Sequence, residues 1–264
     1  MPSRRAFFER GQIAIKSTVN SIIIKDLNVH YENKQVLKNI CCELPKNKIT
    51  VIIGGSGCGK STLLKSINRI VEEEHADITG EIQIEGKNTK NIPKTLLRKD
   101  VGLVFQTPVI FPLSIKKNML YPLAYHFELN EHEQSKKIKH YLEITGLYDE
   151  VKENLNMRAT KLSGGQKQRL AVARSLCIEP KILMLDEPCS ALDMKNTLII
   201  EELLVKLKQL LTIVMVTHNL SQAKRIADYV LFIDNGKLIE ANDVDIFENP
   251  KEELTKNYLQ YMHY

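Results

Sequence analysis

The chain reads as an α/β protein, a largely parallel sheet wrapped by helices, with antiparallel strands near its start and a helical segment in its middle. Three observations predict this. Short apolar runs recur at 49–53, 101–105, 181–186, 211–217 and 229–233, each of a length suited to a buried strand. After the middle of the chain these runs alternate with helical patterns, as a parallel sheet requires, because a parallel neighbour is reached only through a crossover. Finally, Gly54-Gly55-Ser56-Gly57-Cys58-Gly59-Lys60-Ser61 follows the first run and opens an amphipathic segment at 61–70. That order of strand, glycine-rich loop and helix is the setting of a phosphate-binding loop.

Taken in order, strands are expected at 21–25, 35–44 and 48–53, then the helix at 61–70, then strands at 80–86 and 101–105. From about 108 to 161 helical periodicity dominates, most clearly at 131–146. Strands at 181–186, 211–217 and 229–233 follow, and Asp234-Asn235-Gly236-Lys237 makes a hairpin turn into 238–240. Residues 1–19, beginning Met1-Pro2-Ser3-Arg4-Arg5, lack the apolar core of a secretory signal and read as a basic extension.

Composition narrows the class. Of 264 residues, 43% are hydrophobic and 26% charged, and no apolar run approaches the ~18 residues of a membrane span, so a soluble globular protein is expected. The net charge of +5 comes from lysines scattered along the chain rather than gathered in a stripe, which favours a solvated surface over a nucleic-acid groove. The five cysteines form no CxxC pair, and Cys58 lies inside the glycine-rich loop, where a disulfide would hinder ligand entry. Reduced thiols and a cytoplasmic setting are expected.

The chemistry is carried by three motifs in sequence. Glycines at 54, 55, 57 and 59 let backbone N–H groups turn inward toward phosphate oxygens, with Ser56 and Cys58 between them. Lys60 is expected to bridge the terminal phosphates, Ser61 to give its hydroxyl to Mg²⁺, and Thr62 to support the phosphate nearest the nucleoside. Leu162-Ser163-Gly164-Gly165-Gln166 reads as a second helix N-terminus suited to an anion, the helix running from about Gln166. The apolar run 182–185 ends in Asp186-Glu187.

With these three motifs the chain resembles the ABC ATPases, over about residues 22–250. The resemblance implies a RecA-like P-loop NTPase core with an antiparallel β subdomain and a helical subdomain at about 108–165, all within one ATP-binding cassette spanning 20–264. It implies ATP hydrolysis with Mg²⁺, Asp186 holding the metal through water and Glu187 acting as general base. Gln106 matches the glutamine that reaches metal and lytic water, His218 the histidine at the γ-phosphate, and Tyr31 the ring placed against adenine. Ser190-Ala191-Leu192-Asp193 matches the loop that crosses a dimer interface. In the family, Ser163, Gly164, Gly165 and Gln166 would cap the γ-phosphate held by a second copy, so a head-to-tail dimer with two sandwiched ATP molecules is implied.

Nothing membrane-spanning is fused to the cassette, so transport would require two separate permease chains and, indirectly, an extracytoplasmic solute-binding protein, with this subunit peripheral on the cytoplasmic face of the membrane. An importer ATPase, an exporter or lipoprotein-release ATPase, and a non-transport ABC protein all share the motifs; the ordinary interval between Ser61 and Leu162 and the single cassette favour transport. Ser66-Ile67-Asn68-Arg69, Pro188-Cys189-Ser190-Ala191-Leu192-Asp193, Ile200-Glu201-Glu202-Leu203, Val216-Thr217-His218-Asn219 and Ile246-Phe247-Glu248-Asn249-Pro250 are similar to the phosphate-importer branch of the family. The segment 107–112, Pro122 and Met194 depart from that branch's pattern, mostly where a permease would face. Phosphate import is therefore the expected function, with another small solute as the alternative, and Phe111 and Ile115 are expected to meet a permease helix.

Overall fold

The computed structural model describes residues 20–262; the basic extension expected at 1–19 lies outside them. The chain opens with β1 (Asn20–Tyr31), β2 (Lys34–Pro45) and β3 (Ile49–Ile53), then α1 (Lys60–Ile67), β4 (Ala76–Ile84), β5 (Lys87–Asn88), α2 (Lys94–Asp100) and β6 (Val101–Val104). A helical stretch follows with α3 (Ile115–His126), α4 (Glu131–Ile144), the single turn α5 (Tyr148–Val151) and α6 (Gly164–Leu176). The last part alternates β7 (Ile182–Asp186), α7 (Met194–Leu207), β8 (Thr212–Val216), α8 (Leu220–Ile226), β9 (Tyr229–Asp234), β10 (Lys237–Asp243) and α9 (Glu253–Tyr261).

Two sheets result. β2-β1-β4-β5 is antiparallel throughout, and β10-β9-β3-β8-β7-β6 is parallel except for the β9–β10 hairpin. β3, β7 and β8 are buried at every position, which explains why they read as unbroken apolar runs. Their side chains alternate between two cores. Ile52, Met184 and Val214 face a core shared with the antiparallel sheet and with Leu63, Leu64 and Ile67 of α1, whereas Val51, Leu183 and Ile213 face a core closed by α6, α7, α8 and α9. A third core, around Ile115, Met119, Leu123, Ile138, Leu142 and Leu170, belongs to the helical stretch. Each such fully buried aliphatic side chain contributes roughly 1.5–3 kcal/mol. α6 is the shared wall, with Val172 and Leu176 in the second core and Leu170 and Ala173 in the third.

Several boundaries differ from expectation for identifiable reasons. The strand expected at 21–25 runs on to Tyr31, because a bulge at Asp26 (φ 49°) carries β1 past its polar break while β2 and β4 stay paired on either side. β4 correspondingly begins at Ala76 rather than near Gly80, whose own φ of +91° fits it against the Asp26 carbonyl. α1 stops at Ile67 rather than at 70: Arg69 turns left-handed (φ 62°), its guanidinium gripping Glu72 and reaching the Thr89 carbonyl. α6 starts at Gly164, two residues before the expected Gln166, because Ser163 caps it and Gln166 answers as the other half of a capping box.

Candidate nucleotide site

The loop 54–59 leaves the buried β3 and enters α1 at Lys60. Gly54 is required by close approach, since a Cβ there would stand 2.1 Å from the Ile233 carbonyl oxygen. Ser56 and Gly57 form the exposed lip, while Gly54, Cys58, Gly59 and Lys60 are buried and Gly55, Ser61 and Thr62 lie at the edge. The Lys60 ammonium folds back on its own loop, donating to the Gly54 carbonyl at 2.9 Å and the Gly55 carbonyl at 2.7 Å. Burial pushes the Cys58 thiol above its ordinary range despite the nearby Lys60, so a neutral thiol, rather than a thiolate, sits beside this cationic cradle.

Neighbouring strand ends bring the other groups together. β6, β7, β8 and β3 lie side by side in register, Val104 against Leu185, Asp186 against Val216, and Val216 against Ile52, so the residues just beyond them cluster at one edge of the sheet. Asp186, 8% exposed, accepts a hydrogen bond from the Ser61 hydroxyl at 2.9 Å. Its pKa is raised, first by desolvation and further by Glu187, against the Ser61 hydrogen bond and the lysines at 65 and 60. Glu187 begins the next turn with φ 45°, its N–H held by the Val216 carbonyl at 3.0 Å. Its Oε2 receives the Gln106 amide at 3.2 Å and stands 3.0 Å from His218 Nδ1. The Gln106 amide and the His218 imidazole thus meet on a single carboxylate oxygen.

Metal chemistry can be judged from the donor set. A desolvated carboxylate whose protein partner is one hydroxyl, next in sequence to a glutamate that receives the Gln106 amide, offers oxygen ligands of the kind a hard divalent cation takes. Among the described residues no cluster of three or more His, Cys, Asp or Glu side chains could hold an ion by itself.

Tyr31, at the end of β1, is half-buried and donates its hydroxyl to Glu74 at 2.7 Å, and Glu74 pairs in turn with Lys65 of α1 at 2.7 Å. Burial, reinforced by Glu74, raises the Tyr31 pKa, so the ring stays neutral. Ser163, Gly164, Gly165 and Gln166 lie elsewhere: among the described residues no hydrogen bond joins them to 54–62. Gln166 donates to Glu150 at 2.9 Å, Arg169 pairs with Glu150 at 2.7 Å, and a Cβ on Gly165 would meet the Asn196 side chain at 2.6 Å. The Ser163 hydroxyl is exposed and also serves as the cap, accepting from the Gln166 N–H at 3.3 Å.

Sequence reasoning named Ser190, Thr217 and Glu201 within short motifs but missed how they, with Gln222 and Arg225, support these groups. Ser190 Oγ lies 3.4 Å from Gln106 Nε2 and donates to the Glu187 carbonyl. Thr217, next to His218, donates to Gln222, which reaches the buried Glu201 held by Arg225. The Ser190–Glu187 and Thr217–Gln222 contacts are local, but those to Gln106, Glu201 and Arg225 join separate elements and no local pattern announces them.

The profile of the ABC transporter family matches residues 37–190. The chain belongs to the ABC transporter family. The matched span of this ABC ATPase holds the glycine-rich loop, Gln106, the 162–166 motif and the Asp186-Glu187 pair. Among curated relatives, the phosphate import ATP-binding protein PstB of Campylobacter jejuni is 48% identical over 236 residues, covering 89% of this chain and 96% of that protein. PstB 1 of Vibrio parahaemolyticus is 45% identical, covering 90% and 89%. Among solved structures, a bacterial Atm1-family ABC exporter with ATP bound superposes with a TM-score of 0.80 at 25% identity, over 95% of this chain and 43% of that longer chain. The ATP-binding cassette MJ0796, a dimer bound to ADP and Pi after hydrolysis, gives a TM-score of 0.74 at 28% identity, over 84% of this chain and 98% of that one.

Proposed function

We propose that this ABC ATPase hydrolyses MgATP as the energising subunit of a phosphate importer. The observation that carries the solute is the similarity, at 45–48% identity over about nine-tenths of the chain, to relatives named for phosphate import; the site itself handles nucleotide and encodes no solute. In this reading Lys60 exchanges the Gly54 and Gly55 carbonyls for the terminal phosphates, and Tyr31 lies against adenine. Ser61, Asp186 and Gln106 hold Mg²⁺, which when bound offsets phosphate charge. Glu187 takes the proton of the attacking water, oriented by Gln106 and His218, both within 3.2 Å of its Oε2. Ser163, Gly164, Gly165 and Gln166 cap the γ-phosphate of a second copy, a reading supported by the similarity to the dimeric cassette MJ0796. The working form is thus a head-to-tail homodimer.

Two permease chains would dock on the exposed apolar face of the helical stretch, placing the subunit on the cytoplasmic side of the membrane. Among the described residues no helix is long and apolar enough to cross a membrane. Val109, Leu113, Tyr121 and Tyr125 are 51%, 38%, 64% and 69% exposed. Phe111 borders this face, packed edge-on against Tyr121 with ring centroids 5.5 Å apart. Ile115 does not belong to it: the side chain is fully buried in the third core because Ser114 caps α3 and turns the first helical residue inward. The pair therefore separates two effects. Phe111→Asp is expected to abolish transport with ATP affinity of the isolated subunit retained, whereas Ile115→Asp buries an unpaired charge and should destabilise the helical stretch by several kcal/mol. Denaturation midpoints together with transport assays of both variants check this.

Uptake of labelled phosphate at limiting concentration decides the solute, in cells with or without this gene and with other phosphate transporters deleted. Loss of uptake on deletion is expected. Equal uptake in both strains, with loss of a different solute, rejects phosphate and keeps the importer.

A further inference from the structure

The β9–β10 turn is built unlike an ordinary hairpin tip. Asn235 (φ 47°) and Gly236 (φ 78°) give it the paired left-handed residues of a tight turn, yet Gly236 is buried. Its N–H donates to the carbonyl of Cys58, inside the glycine-rich loop, at 3.0 Å, and its own carbonyl accepts the Lys38 N–H of β2 at 2.8 Å. A Cβ at Gly236 would stand 2.2 Å from the Val36 carbonyl oxygen. The same corner of β2 presses on the loop again, since a Cβ at Gly59 would meet Leu37 at 2.7 Å. One residue of the turn therefore joins the phosphate loop to the strand that pairs with β1, the strand ending in Tyr31.

We propose that Gly236 is a positioning residue of the nucleotide site: by holding the Cys58 carbonyl outward it keeps the loop's N–H groups facing the phosphates, and by holding Lys38 it fixes the spacing between that cradle and the Tyr31 face. The proposal rests on the reading of 54–61 as the phosphate site. The turn touches none of the reacting atoms, so its influence falls on nucleotide binding rather than on the proton transfer at Glu187.

Gly86 supplies the control. It sits at the exposed β4–β5 turn with φ +76°, nearly the value of Gly236, but a Cβ there would meet nothing within 4 Å. Alanine at either position carries the same left-handed strain, and only at 236 does it collide with β2, forcing the turn that holds the Cys58 carbonyl off the Val36–Leu37 backbone. In equilibrium titrations, Gly236→Ala is expected to weaken ATP binding by about tenfold or more, with turnover at saturating ATP within about threefold of the parent, the signature of lost uniform binding. Gly86→Ala should bind ATP as the parent does. A folded Gly236→Ala protein with parental affinity, or an equal loss in Gly86→Ala, overturns the proposal. Lys60→Ala, titrated alongside, tests the site itself: if it binds ATP as tightly as the parent, the phosphate-site reading fails. If Gly236→Ala does not fold, hydrogen exchange in the parent decides: the Gly236 amide should slow on addition of ATP while the Gly86 amide does not. Indifference of the Gly236 amide to ATP overturns the proposal.

Discussion

Glu187→Gln is expected to lower ATP turnover by about 10²- to 10⁴-fold, the usual worth of a positioned general base, while leaving MgATP binding in place. The amide keeps the shape of the side chain and can still meet Gln106 and His218, whose nitrogens converge within 3.2 Å of Oε2, but it has no lone-pair basicity to accept the proton of water. ATP-bound dimers should accumulate, visible by size-exclusion chromatography, because the closed state is no longer relieved by hydrolysis. The neighbouring carboxylate behaves differently. Asp186 is desolvated and bound by Ser61, so in the proposed metal role changing it should disturb cation binding instead. Steady-state turnover of Glu187→Gln near that of the parent would remove Glu187 from the role of base.

Ser163→Arg should abolish turnover and leave ATP binding by the isolated subunit within about threefold of the parent, since loss of an N-cap costs only ~1 kcal/mol at α6 and no hydrogen bond ties Ser163 to the loop of its own chain. Lys60→Ala should fail at the earlier step, binding itself. Mixing the two inactive variants is the sharper measurement. In a head-to-tail dimer, the loop of the Ser163→Arg subunit faces the intact 162–166 motif of the Lys60→Ala subunit, so one composite site is whole and part of the activity returns. No recovery on mixing, or ATP binding by Ser163→Arg as weak as that of Lys60→Ala, would contradict action between subunits.

What could be read in advance was local. The glycine-rich loop with its strand and helix, and Asp186-Glu187 at the end of an apolar run, declare themselves because a few consecutive residues contain the whole device. Supports drawn from remote segments do not. Glu74 reaches Tyr31, Glu150 reaches Gln166 and Arg169, and Gly236 reaches Cys58 only after the chain has folded. Ile115 shows the same limit at one residue: an isoleucine beside an apolar exposed segment looks alike whether it turns in or out, and the cap at Ser114 decides. The bulge at Asp26 hid the length of β1, because its polar residues imitate a turn.

Arg174 gives the helical stretch a mechanical character. From α6 its guanidinium holds the Val109 carbonyl and Asn118 Oδ1 and lies 4.5 Å from the Phe111 ring, while the fully buried Asn118 holds the Phe111, Leu113 and Ser114 carbonyls. The surface segment around Phe111 and the shaft of α6 are therefore bolted together, and the other end of that shaft, about 16 Å away at 1.5 Å per residue, is capped by Ser163. The helix that carries Ser163 at its start is thus anchored near its far end to the segment that presents Phe111, so the two are held as one piece by Arg174 and Asn118.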